Sequence, residues 1–228
     1  MNKKEHKILN LPDEIDNKFL ELHTHFHNIE NNYHNVLFHT YYNSFINTYQ
    51  IIFNQIENKL KDTLYIKEYK KLKNNYWEKE PLLKDINNQR NLIVHEKDLE
   101  INTFSYMCLI KNKKTYDIKI KLFLSNTFLD SDELIIKYLK IKYFYQIFMN
   151  DEDYYLTIYR EIKTTKNECI LEEVKKLLLL MGDFIHVVYG LIGFCNNKNK
   201  TNFTLECIHP INDIKYKFYD RNKLKVFI

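Results

Sequence analysis

Three glycines and three prolines punctuate 228 residues. A chain this poor in helix breakers has few places to reverse sharply. Long helices joined by short polar connections are therefore the expected architecture. Hydrophobic residues make up 45% and charged residues 28%. That balance suits a folded chain with one sizeable core or two small ones.

The spacing of apolar residues gives the first helices. Pro12 suits a first helical turn, and Asp13 and Glu14 follow it where they complement the helix dipole. Ile15, Phe19, Leu22, Phe26, Ile29, Tyr33 and Leu37 then recur every three or four residues as one stripe. A second stripe runs Tyr42, Phe45, Tyr49, Ile52, Phe53, Ile56, Leu60. On one continuous wheel the two stripes differ by roughly half a turn, so one straight helix cannot bury both. A break near Phe38–Tyr42 and two antiparallel helices are predicted, the second running to about Leu72. His23, His27, Glu30 and His34 lie along one strip of the first helix. Zinc accepts such ligands, but one straight helix rarely encloses a metal alone, so a polar flank beside the core is the preferred reading.

After Glu100 the period changes to two. Thr103–Ile110 and Thr115–Ser125 are predicted as strands around the turn Lys111-Asn112-Lys113-Lys114. The lysines there read as guards of a solvated edge strand in preference to an RNA-contacting rim. Asp130-Ser131-Asp132-Glu133 looks like a helix start, with a helix over Leu134–Met149. The aromatics Tyr138, Tyr143, Phe144, Tyr145 and Phe148 are assigned to core packing ahead of base stacking. Tyr154–Ile162 admits helix or strand.

Asn167 is predicted to cap a helix from Glu168 to about Phe194. Its stretch Leu177–Cys195 is nearly all apolar, but Asp183 and His186 interrupt it, which lipid penalises. A buried central helix is expected there, with His186 as a core or interface histidine. Asn196-Asn197-Lys198-Asn199-Lys200 reads as a polar linker. Phe203–Ile208 and Ile214–Ile228 alternate like short strands that join the hairpin at 103–125 in one small antiparallel sheet.

The net charge of +4 permits a polyanionic partner without demanding one. Cys108, Cys169, Cys195 and Cys207 form no close pairs, so neither a zinc site nor a disulfide framework is suggested. Free thiols fit a cytoplasmic setting. The N-terminal residues carry no apolar run of the signal-peptide kind. No P-loop or Gly-rich nucleotide fingerprint is found, so no cofactor and no metal are expected.

The densest chemistry lies in Gln89-Arg90-Asn91-Leu92-Ile93-Val94-His95-Glu96. The segment is predicted to be helical from Pro81, with Leu82, Ile86 and Ile93 as its apolar face. Asn91 and His95 are four apart and lie one above the other; Arg90 is long enough to reach the same neighbourhood. A histidine near its free pKa can take or give a proton at neutral pH. A guanidinium grips phosphate oxygens, and an amide can orient an imidazole. Those groups suit attack of a ribose 2′-hydroxyl on the neighbouring phosphate, which needs a proton acceptor and a clamp for growing charge.

At these residues the chain resembles the HEPN superfamily of helical, usually dimeric and mostly metal-independent ribonucleases of prokaryotic toxin–antitoxin, phage-defence and CRISPR systems. The shared signature is Arg90, the polar Asn91 after it, and His95 five residues after the arginine. The resemblance covers one helix by motif. By architecture it extends over the first 97 residues and the helix near 168–194. One toxin subgroup carries a Tyr two residues after the His; here Lys97 stands there. The resemblance implies a mainly α fold, a HEPN-like bundle with a small antiparallel β elaboration. It implies one domain over 1–228, with a helical core at about 12–97 and 168–194, a β-containing insertion at about 101–166 and a tail at 196–228. Arg90, Asn91 and His95 become the catalytic residues, RNA the substrate, and a homodimer the assembly, with an antitoxin or defence-system protein as a further partner and no membrane. The alternative reading is a non-catalytic helical module that binds RNA or protein.

Overall fold

A computed structural model describes residues 10–94, 101–111, 115–125, 130–139, 142–163, 168–194 and 211–224. The fold is mainly helical with a small antiparallel sheet. The chain divides into two compact units: a helical unit (1–29, 39–99 and 173–208) and a sheet unit (30–38, 100–172 and 209–228).

The helical unit is built on the two predicted stripes. Helix α1 spans Leu11–Asn31 and α2 spans Leu37–Leu60. Ile15, Leu22, Phe26 and Ile29 of α1 are buried, as are Phe45, Tyr49, Ile52, Phe53 and Ile56 of α2. Lys59 near the end of α2 pairs at 2.5 Å with Glu14 at the start of α1, so the two run antiparallel.

The break between them falls at residues 32–36, earlier than the stripes suggest. Local amide chemistry sets it. Asn35 donates its side-chain N–H to Asn32 Oδ1 at 2.8 Å, and its own Oδ1 accepts the Leu37 N–H at 2.9 Å, capping α2. Tyr33 therefore belongs to a loop and not to the α1 stripe.

Helix α2 also stops at Leu60, short of Leu72. Thr63 Oγ1 donates to the Leu60 carbonyl at 2.8 Å and accepts the Tyr65 N–H at 3.2 Å. This closes the turn without glycine or proline. Helix α3, Ile66–Lys79, follows. Tyr69 of α3 donates its hydroxyl to the Phe53 carbonyl at 3.0 Å, and Lys73 pairs with Glu57 at 2.8 Å. Helix α4, Pro81–Val94, starts after Glu80 with proline in its first turn.

Strand β1 covers Asn102–Lys111 and β2 Thr115–Ser125, the predicted hairpin. The helix expected over Leu134–Met149 is two helices, α5 at Ser131–Tyr138 and α6 at Lys142–Asn150. Tyr154–Lys163 is strand β3. Helix α7 spans Ile170–Leu191, and only its residues from 173 onward belong to the helical unit. A short helical turn α8, Ile211–Ile214, precedes β4, Tyr216–Tyr219, and a second turn, α9, covers Arg221–Leu224. The strand order is β2-β1-β3-β4, all antiparallel. The tail thus joins the sheet through β3 and not beside the hairpin's own strands; Phe203–Ile208 and the 196–200 linker lie outside the described residues.

Alternation gives the sheet two faces. On one, Met107 and Leu109 of β1 and Leu156 and Ile158 of β3 form a buried cluster with Leu134 and Ile135 of α5, Leu139 just after it and Phe148 of α6. Phe148 is core, as expected. The other face carries Phe104 and Tyr106 of β1, Tyr155 and Tyr159 of β3, and Tyr216 and Phe218 of β4.

In the helical unit, Leu177, Leu178, Met181, Phe184, Ile185 and Val188 of α7 are buried. Phe184 sits 4.8 Å from the Phe53 ring and 5.1 Å from Tyr76. The helix is not buried all round, however. Leu179, Asp183, His186 and Val187 are exposed, so His186 is a surface residue of this unit and not a core histidine. No helix among the described residues is long and apolar enough to cross a membrane.

Candidate functional site

The motif helix α4 buries Leu83 and Ile86, while Leu82 is only half-buried. The inward face is thus rotated from the Leu82/Ile86/Ile93 stripe, because Leu83 and not Leu82 meets the core. Lys84, Asn88 and Asn91 are exposed, at intervals of four and three that place them on one outward strip. Arg90 occupies a helical position beside that strip. His95, the third member of the predicted site, lies outside the described residues, as does the side chain of Arg90.

The histidine strip of α1 is divided by the end of the helix at Asn31. His23 and His27, one turn apart, bring their Nε2 atoms to 3.1 Å, so one ring donates and the other accepts. Burial and the neighbouring His27 both lower the His23 pKa. His34 falls beyond the helix. Among the described residues, no group of three His, Cys, Asp or Glu side chains is placed to hold a metal ion.

His34 instead anchors a polar cluster in the sheet unit. Its Nε2 is 2.8 Å from the Ile214 carbonyl, and its Nδ1 is 3.0 Å from Ser131 Oγ. A carbonyl only accepts, so Nε2 carries the proton and Nδ1 accepts the serine hydroxyl. Burial, with Arg160 and Lys217 nearby, lowers the His34 pKa to about 4, despite the hydrogen bond to Ile214. A serine hydroxyl donating to a histidine is the arrangement of an activated nucleophile. Ser131 is fully buried, though, so no substrate reaches it and the pair acts as a clamp.

Around this clamp lie Tyr33, whose hydroxyl accepts the Ile162 N–H at 2.9 Å, and Asp132, which accepts from Lys217 at 2.8 Å and from Tyr219 at 3.0 Å. Arg160 of β3 is fully buried. Burial lowers its pKa to about 10, partly offset by Tyr33, Tyr219 and Asp130. It therefore stays a cation at neutral pH, inside the unit.

At the end of the sheet where β3 begins and β4 ends lies a pocket of about 530 Å³. Its walls are aromatic: Phe148, Tyr154, Tyr155, Phe218 and Tyr219. Glu152, Asp220 and Arg221 supply charge. Arg221 holds the turn before β3, donating to the carbonyls of Asp151 at 2.6 Å and Tyr154 at 3.2 Å, with its guanidinium 5.0 Å from the Phe148 ring centre. An aromatic pocket with a few charged groups suits a small planar ligand.

Sequence reasoning passed over this end of the sheet. The signal was present in Tyr216-Lys217-Phe218-Tyr219-Asp220-Arg221, where aromatic and charged residues interleave. The alternation of the tail by itself gives strands and no site.

No protein-family model matches the chain, and neither a curated protein nor a solved structure matches it.

Proposed function

We propose that this chain is a metal-independent endoribonuclease of the HEPN type, acting in prokaryotic defence or in a toxin–antitoxin pair. The observation that supports this reading best is the setting of the motif. Arg90 and Asn91 occupy the C-terminal part of a helix, Asn91 lies on its exposed strip, and His95 follows Asn91 by four residues. The helix belongs to a unit of long helices, as the resemblance requires.

In this reading His95 takes the proton from the ribose 2′-hydroxyl, or returns one to the leaving oxygen. Arg90 grips the scissile phosphate and stabilises the charge on its pentacoordinate transition state. Asn91 orients His95 or the phosphate. One imidazole cannot readily serve both sides of phosphorus in a single step, so a two-fold dimer bringing together two Arg/His sets completes the site. The product is a 2′,3′-cyclic phosphate. Arg90→Ala and His95→Ala should each reduce cleavage to background while the melting temperature stays near that of the parent. Full activity in both variants would remove the assignment.

The exposed Leu179 and Val187 of α7 favour a second reading, a non-catalytic helical module that binds RNA or a protein partner. Clean protein that binds RNA at low salt and leaves every substrate intact would select it.

A further inference from the structure

The sheet face away from α5 and α6 is lined with rings. Strand register sets Tyr106 of β1 opposite Tyr159 of β3, and Tyr159 opposite Tyr216 of β4. The Tyr106 and Tyr159 rings are 6.0 Å apart and 29° from parallel; those of Tyr159 and Tyr216 are 4.8 Å apart and 34° from parallel. Phe218 extends the row, 6.4 Å and 23° from Tyr216. Exposure rises toward the β4 edge, where Phe218 is 53% exposed; Tyr155, beside it at the pocket, is 39% exposed. The row therefore runs across three strands and ends at the aromatic pocket, of which Phe218 and Tyr155 are walls.

Half-exposed aromatics are common strand fillers. Three observations make this set more than filler. The rings lie near parallel and stack on one another across neighbouring strands, so the row is a rigid aromatic ledge whose exposed end, Phe218, is the surface a base can meet. The pocket at the end of the row falls within the range of about 300–1,000 Å³ typical of ligand sites. Cations flank the row. Lys163 Nζ is 5.7 Å from the Phe104 ring centre. The register also places Lys121 opposite Tyr106 and Lys119 opposite Cys108 on β2. Among the described residues of this face, the carboxylate of Glu161 is met by Lys163 at 3.5 Å and by the Tyr159 hydroxyl at 2.5 Å. Glu152 and Asp220 sit at the pocket, where a carboxylate suits the amino edge of a base and repels phosphate.

We propose that this face binds single-stranded RNA, with one base stacked on the exposed Phe218 end of the row, which Tyr216 supports, and the next seated at the pocket beside Tyr155. The backbone phosphates run on the lysine side of the row, and an amino-bearing base faces Glu152 and Asp220. The choice of RNA over DNA rests on the ribonuclease reading; the stacking surface itself does not.

The test is fluorescence anisotropy with a labelled oligocytidylate of roughly a dozen nucleotides, its deoxy counterpart and a duplex of the same sequence. The protein is the full chain carrying His95→Ala, so that cleavage cannot consume the probe. Phe218→Ala and Tyr216→Ala are each expected to weaken binding by about tenfold, whereas Tyr216→Phe, which keeps the ring, should bind like its parent. The duplex should bind at least about tenfold more weakly than the single strand. As a second readout on unmutated rings, photo-crosslinks from a probe carrying one thiouridine should map to Tyr155, Tyr216 or Phe218. Unchanged affinity in both alanine variants with melting temperatures preserved, or crosslinks confined to the helical unit, would overturn the platform. Preference for the deoxy probe would overturn the assignment to RNA. Failure of the ribonuclease reading shows separately, as intact RNA with the unsubstituted chain while the alanine variants still weaken binding.

Discussion

Each of the two units is held together internally by its own chemistry. Buried polar residues of the helical unit are few among those described, Thr48 and Glu173, and its interior is a packing of Phe45, Tyr49, Phe53, Tyr69 and Phe184. The sheet unit buries Glu30, Thr103, Ser105, Ser131, Thr157, Arg160 and Lys215. Apolar packing is indifferent to pH and tolerant of small shifts. A buried polar network holds one geometry only while each partner keeps its protonation state. The lesson is that the helical unit should respond to lost volume and the sheet unit to lost or added charge.

The largest expected effects separate the units by substitution. Phe53→Ala removes a ring that meets Phe184, Tyr49 and Trp77, and should cost about 3–5 kcal/mol in denaturant unfolding. Arg160→Ala should cost a similar ~3–5 kcal/mol by emptying the space of one of the largest fully buried side chains. Hydrogen exchange resolved by segment should place the first loss in α2 and the second in β3. An Arg160→Ala cost below about 1 kcal/mol would show that this buried side chain does not hold the sheet unit.

Acid should act next. His34 binds its proton less readily when folded, with a pKa of about 4, than its ordinary value of 6.5. Between those values the unfolded chain carries more protons, so stability is lost as pH falls from 6.5 toward 4. At about 1.4 kcal/mol per pH unit the loss is on the order of 3 kcal/mol at the acid end. Exchange in β3 and α5 should quicken across that window, and His34→Gln should flatten the dependence. A parent protein whose sheet-unit exchange free energy is constant from pH 6.5 to 4 would contradict the assignment.

The smallest effect is a control within the helical unit. The Tyr189 hydroxyl lies 2.6 Å from Asp16 Oδ1 and 3.1 Å from the Pro12 carbonyl, tying α7 to the start of α1. Tyr189→Phe keeps the ring and should cost about 1 kcal/mol. Burial raises the Asp16 pKa against the pull of this bond, so the variant should raise it further, as carboxyl titration by NMR would read.

Much of this architecture was legible in the chain. The stripes of α1 and α2 and the alternation of Thr115–Ser125 needed only period and polarity. Their ends were not legible. Asn35 capping α2 and Thr63 closing it are single side-chain bonds that many asparagines and threonines do not make. Tyr33 matched the α1 stripe because its spacing fits, yet its place is set by the distant Ile162 N–H. The alternation of β3 puts Arg160 on the inward face with Leu156, Ile158 and Ile162, but an arginine in a strand is ordinarily read as outward. The candidate site divides the same way. The chemistry of Arg90, Asn91 and His95 is explicit in their types and spacing. The aromatic row depends on which strands become neighbours, and that is decided by register between residues more than fifty positions apart.

The most direct test of the central claim is RNA cleavage by the purified chain in excess EDTA, with the 3′ ends of the products identified. The account predicts cutting that persists without divalent metal, leaves 2′,3′-cyclic phosphates and disappears in Arg90→Ala and His95→Ala. Intact RNA with the parent protein on both structured and unstructured substrates, or cleavage that EDTA abolishes, would contradict it.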